Sequence, residues 1–193
     1  TGFAPDGEVE DYVVRIEKNP NGGDVDWGDA RDPSFPTLAA NSGASHLIDD
    51  LFLGRLVDPE PDGQPSAWAL GDDSDGSDDE DGIIFLTPII SGSMAFIRVL
   101  PTMTGILDAW IDFNRDGSWG GPFEHIADGV AVVNGDNTIS FDVPSWAISG
   151  FIYVRVRLST AGNLGVGGAA NDGEIEDYKI EVDPPAIASG VFG

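Results

Sequence analysis

The chain has 193 residues, 41% of them hydrophobic, with a net charge of −25 and no cysteine. That is enough apolar material for one domain with a real core, and too much for a disordered acidic tail. The charge argues against nucleic acid and anionic membranes as partners and for divalent cations as counter-species, while the lack of cysteine excludes disulfides, thiolate metal sites and cysteine nucleophiles.

No apolar run is long enough to cross a bilayer and no signal-peptide pattern opens the chain, so Thr1 reads as the start of a trimmed or mature product. The first element is the phrase Asp6-Gly7-Glu8-Val9-Glu10-Asp11-Tyr12, which runs into a strand pattern with Tyr12, Val14 and Ile16 inward and Arg15 outward. The phrase returns almost unchanged as Asp172-Gly173-Glu174-Ile175-Glu176-Asp177-Tyr178, again leading into an alternating strand. A domain of this size therefore carries two copies of its closing strand, and one is surplus. We expect residues 1–18 to close, or be donated to, a neighbouring unit. Residues 19–24 then form a linker, 25–183 the domain and 184–193 a tail.

From Asp26 to Pro65 the text is rich in Pro, Gly, Asp and aromatics with little periodicity, and Trp27, Phe35 and Leu38 are expected to pin it to the body. His46 to Leu53 fits a short helix or a strand. The run from Gly71 to Gly82 places Asp72, Asp73, Asp75, Asp78, Asp79, Glu80 and Asp81 immediately before an apolar strand at Ile83–Leu86. It is either a solvated acidic loop or a calcium-binding one, because acids held against a sheet edge repel strongly without a cation.

Further strands are expected near 94–100, 106–112, 129–133, 137–143, 152–158 and 178–182, with Asn134-Gly135 as a hairpin turn between two of them. In 152–158 Val154, Val156 and Leu158 alternate with Arg155 and Arg157, the pattern of a half-buried strand. Residues 144–150 fit one helical turn. Together these elements predict an all-β chain: an antiparallel two-sheet β-sandwich of Ig-like or jelly-roll type with long irregular acidic loops.

The sharpest chemical motif is Asp112-Phe113-Asn114-Arg115-Asp116-Gly117-Ser118. Oxygens at the first, third and fifth positions, Gly at the sixth and the Ser118 carbonyl make the first half of a calcium loop. The twelfth position is Phe123, with Glu124 one place late, so this is a calcium loop between strands or, alternatively, an Asx-rich turn. Asp172, Glu174, Glu176 and Asp177 form a second dense group, suited to metal ligation or plain solvation better than to the isolated acid pair of a glycosidase. His46 and His125 lack a partner histidine for zinc and are expected to be structural. No Gly-x-Ser-x-Gly elbow or phosphate-binding glycine loop is present.

In its Asp26-Trp27-Gly28-Asp29-Ala30, Gly71-Asp72-Asp73, Asp78 to Gly82, Trp110 to Asn114, Arg157-Leu158-Ser159 and Asp172 to Tyr178 segments the chain resembles the GEVED-domain family of bacterial secreted and surface proteins. The resemblance implies a β-sandwich, display at the extracellular bacterial cell surface and calcium binding, and implies no catalytic activity. It leads us to expect a calcium-stabilised structural unit of a filament or tandem surface array, partnered by copies of itself through Tyr12, Val14 and Ile16. The alternatives are a carbohydrate-binding adhesin module, with Trp68, Trp119 or Trp146 as a sugar platform, and a calcium-dependent glycoside-active enzyme.

Overall fold

A computed structural model describes residues 24–71 and 79–185. The strands are β1 (Val25–Trp27), β2 (Ala44–Leu47), β3 (Ile83–Phe85), β4 (Ile89–Ile90), β5 (Met94–Val99), β6 (Gly105–Ile111), β7 (His125–Val132), β8 (Asn137–Asp142), β9 (Gly150–Ser159), β10 (Gly168–Ala170) and β11 (Glu174–Asp183). One 3-10 turn, Ala39–Asn41, is the sole helical element among the described residues, so none there is long and apolar enough to cross a membrane.

The chain is all-β and sandwich-like. A five-stranded sheet, β4-β11-β9-β6-β7, faces a three-stranded sheet, β3-β5-β8. Between them lies one core built from Ile97, Val99 and Phe141 on the smaller sheet and Leu107, Ile111, Val154, Val156 and Leu158 on the larger. The strands expected near 94–100, 106–112, 137–143 and 152–158 supply those residues, since every second side chain of a strand meets the same face.

Three expectations need correction. Asn134-Gly135 does not close a hairpin, because β7 pairs with β6 while β8 pairs with β5 in the opposite sheet. The turn instead docks on the loop before β6: Gly135 N–H donates to the Pro101 carbonyl, and the Asn134 amide reaches Thr102. Residues 144–149 hold one turn, closed by the Ala147 amide on the Pro144 carbonyl, and no helix, and Gly150 already opens β9.

The third correction matters most. β9 is not half-buried, since Arg155 and Arg157 are 0% and 1% exposed. The segment 24–47, which lacked periodicity, supplies a third layer over the outer face of β6, β9 and β11. Within it β1 pairs with β2, and β2 pairs in parallel with β10. Ala30, Phe35, Trp110 and Trp119 form a second small core there, with Tyr153 packed against it. His46 thus belongs to a strand, and Trp119, expected as a possible exposed platform, is buried. With both faces of β9 and of the first half of β11 covered, polar side chains on them must find partners inside the protein.

Candidate functional site

β11 runs antiparallel to β9 from Glu174↔Leu158 to Val182↔Gly150. Side chains alternate, so Ile175 and Asp177 face the outer layer with Arg155 and Arg157, whereas Glu174, Glu176 and Tyr178 share the inner face with Val154, Val156 and Leu158.

On the outer face Asp177 and Arg155 make a bidentate pair, Nε to Oδ1 at 2.7 Å and Nη2 to Oδ2 at 2.6 Å, with both side chains fully buried. Oδ2 also accepts the Asp29 and Ala30 amides, and the guanidinium donates further to the Val166 carbonyl and Thr37 Oγ1 while lying 4.7 Å over the Trp119 ring. A side chain at Gly28 would put its Cβ 2.5 Å from Asp177 Oδ2, so the Asp26-Trp27-Gly28-Asp29 segment needs glycine to lie against the pair. Among the described residues Arg157 forms no ion pair with a carboxylate. It donates to the Ser45, Gly165, Gly167 and Gly168 carbonyls and, through Nε at 3.0 Å, to His46 Nε2. Burial and the charge of Arg155 bring Arg157 down to about 10. His46 lies 2.7 Å from the Asp172 carbonyl through Nδ1, which assigns the proton to Nδ1 and keeps the ring neutral; burial and Arg157 hold its pKa well below the ordinary value.

The inner face is different. Glu174 Oε2 accepts the Leu53 amide, and Glu176 takes the Gly82 amide at 2.8 Å and the Tyr178 hydroxyl at 2.9 Å. Burial pushes Glu176 up to about 8, against the pull of those hydrogen bonds, and burial together with the charge of Glu176 pushes Glu174 well above the carboxylate range. Glu174 Oε1 is buried with no hydrogen-bond donor.

Beyond Glu174 lies Asp79, and with it Asp58 and Glu60, whose carboxylate oxygens fall within 4.8 Å of one another. Glu60 is held by its own amide on the Val25 carbonyl and by the Trp27 amide on Oε2 at 2.9 Å. Burial above all, with the charges of Asp58 and Asp79, pushes it up to about 9.

The acids of the closing phrase go to different partners. Asp172 caps Thr160 through its amide and hydroxyl, Gly173 packs where a Cβ would come within 1.8 Å of the Leu158 carbonyl, and Glu174, Glu176 and Asp177 go to separate partners. Of the preceding acid run, Asp81 Oδ1 accepts the Arg55 amide at 2.8 Å, the Glu80 carbonyl meets the Tyr178 hydroxyl, and Asp79 joins Asp58 and Glu60. Asp72, Asp73, Asp75 and Asp78 lie outside the described residues, as do Tyr12, Val14 and Ile16.

The 112–124 loop has the shape that its spacing predicts. Asp112 accepts the Asp116 and Gly117 amides, Asn114 Oδ1 accepts the Asp116 amide, Asp116 accepts both Ser118 donors, and Gly117 takes φ +84° at the bend. Glu124, one place late, still turns inward: it is fully buried and accepts the Gly121 and Asn114 amides. Burial raises Asp112 and Glu124, while the Ser118 hydroxyl lowers Asp116. Asp112, Asn114, Asp116, Ser118 and Glu124 thus share one loop, though their carboxylates are more loosely grouped than those of Asp58, Glu60 and Asp79.

Asp108, His125 and Asp128 also approach one another, but each Asp108 oxygen already accepts a backbone amide, from Gly129 and Leu164. Sequence reasoning missed Asp58, Glu60, Asp26, Arg155 and Arg157. The arginines did carry a signal: in a chain with 9 basic residues against 34 acids, two at alternate positions of one strand are conspicuous. Asp58 and Glu60, set among prolines, carried none.

Residues 106–181 match the family model of the GEVED domain, a span from β6 to the closing phrase. No curated protein and no solved structure matches the chain.

Proposed function

With a GEVED domain in residues 106–181 as the premise, we propose that this chain is a calcium-stabilised structural unit of an extracellular bacterial filament or tandem surface array, without catalytic activity. The observation that carries the reading is the use of the closing phrase. Each polar side chain of Asp172 to Tyr178 fastens another segment to the sheet, and the strand sits inside the sheet between β9 and β4. A second copy of the phrase at Asp6–Tyr12 suits the same slot in another unit. That slot is filled in cis by β11, so a strand donated by a separate chain has to compete with a tethered one.

A groove of about 690 Å3 contains a single carboxylate, Asp81, among its lining residues Arg55, Arg98, Thr102 and Asn134, and so offers no acid pair for glycoside chemistry. The carbohydrate-binding alternative keeps one supporting feature: Trp68 and Phe151 are exposed side by side, with Lys179 Nζ 4.1 Å from the Trp68 ring. A glycan array tests it.

The test of the structural reading is a chain shortened to begin at Asp24, compared with the full chain by thermal melting and by electron microscopy in calcium. The shortened chain is expected to fold with an unchanged melting temperature and to form no assemblies. Loss of folding would assign residues 1–23 to this domain's own core and overturn the reading.

A further inference from the structure

We infer that Asp58, Glu60 and Asp79 form a calcium site separate from the 112–124 loop, joining the segment beside β1 and the approach to β3 over the start of β11. The geometry is that of a hard-cation cage. The three carboxylates come from two segments about twenty positions apart, and one oxygen from each lies within 4.8 Å of the others. Oxygens bound to one calcium ion at 2.3–2.6 Å cannot be more than about 5 Å apart, so the group lies within the span of a single coordination sphere. No histidine or cysteine takes part, which leaves oxygen-seeking cations as the class of ligand.

A second observation points to a cation as the partner of this group. Glu60 is 7% exposed, and while Oε2 is tied down by the Trp27 amide, Oε1 has no hydrogen-bond donor. Asp58 Oδ1 is buried in the same condition. Glu174, fully buried and within electrostatic reach of Asp79, leaves Oε1 without a donor as well. A buried carboxylate oxygen ordinarily finds a donor, and a cluster that lacks them is costly unless a cation supplies the counter-charge. Elsewhere in this protein the counter-charge is provided by the chain itself, as Arg155 does for Asp177.

The inference deepens the calcium part of the proposed function and does not depend on tandem assembly. Calcium titration by calorimetry and native mass spectrometry on the full chain, compared with Glu60→Gln and Asp112→Ala, tests it. Glu60→Gln is expected to bind one calcium fewer than the parent, and Asp112→Ala to keep the ion that Glu60→Gln loses. In chelator Glu60→Gln should melt no lower than the parent, because it removes a buried charge; in calcium it should melt lower. Should a variant fail to fold, crystals of the unmodified chain soaked in terbium are expected to show an anomalous peak between Asp58, Glu60 and Asp79. Parent stoichiometry retained in Glu60→Gln, or no peak there, overturns the site: Asp58 and Glu60 then share a proton. If the parent still responds to chelator in that case, calcium stabilisation stands without this site; if the parent binds no calcium, both fall.

Discussion

The two faces of β11 solve one problem in opposite ways. Asp177 and Glu176 are neighbours in sequence and both are fully buried. Asp177 meets a guanidinium and two amides, and its charge is balanced inside the protein. Glu176, on the other face, sees an amide, a hydroxyl and more acids, and its neighbour Glu174 has one oxygen with no donor at all. A buried ion pair with every hydrogen bond made contributes little against an apolar substitute, yet removing one partner is severe. A buried carboxylate oxygen without a donor, as in Glu174, is costly unless a proton or a cation meets it. The outer face carries its own counter-charge, and on the proposed reading the inner face takes its counter-charge from calcium.

Breaking the pair on the outer face gives the largest effect. Asp177→Ala should cost about 3–5 kcal/mol in urea unfolding, because Arg155 is left buried and unpaired, and added calcium should not restore it. A calcium-rescued Asp177→Ala would erase the distinction between the faces.

Chelation addresses the inner face. Calcium at a hundredfold excess over its dissociation constant contributes roughly 2.7 kcal/mol per independent site. Excess chelator should therefore lower the melting temperature of the parent by that scale, with magnesium restoring it poorly because it resists all-protein cages. A melting curve that ignores chelator would show that protons alone neutralise the inner acids.

The loop sharpens the picture at smaller scale. Asp112→Ala and Asp116→Ala should each remove one ion from the calorimetric stoichiometry and cost at most one site's share of stability. Glu124→Ala should act the same way, since the structure turns this residue into the loop despite its offset. Unchanged stoichiometry in Asp112→Ala would make the loop an Asx turn.

The smallest effect is one of pH, and it belongs to the outer face. His46 is neutral between Arg157 and the Asp172 carbonyl, with Arg155 nearby, and its folded pKa is lowered. The unfolded chain therefore takes up the proton first as pH falls. The contribution of neutral His46 is complete above about pH 6.5 and declines below it by at most about 1.4 kcal/mol per pH unit. In His46→Gln the stability profile between pH 6.5 and 5 should be flatter; an equally steep profile would assign the acid sensitivity to other groups.

Strand positions, the sandwich class and the turn at Asp112 to Ser118 were legible in the sequence, because alternation and turn chemistry are local and leave their period in the text. The same alternation misled at Arg155 and Arg157. A charged residue at every second place marks solvent only if nothing covers that face, and the cover came from residues 24–47, whose irregular backbone has no period to read. The repeated acids showed that Asp172 to Tyr178 was special but not why. Which acid receives Arg155, which receives only an amide, and which comes within electrostatic reach of Asp79 depends on how the third layer and the 79–82 segment close over β11. Tertiary structure alone decides that, because burial sets the cost of a charge and burial belongs to no residue by itself.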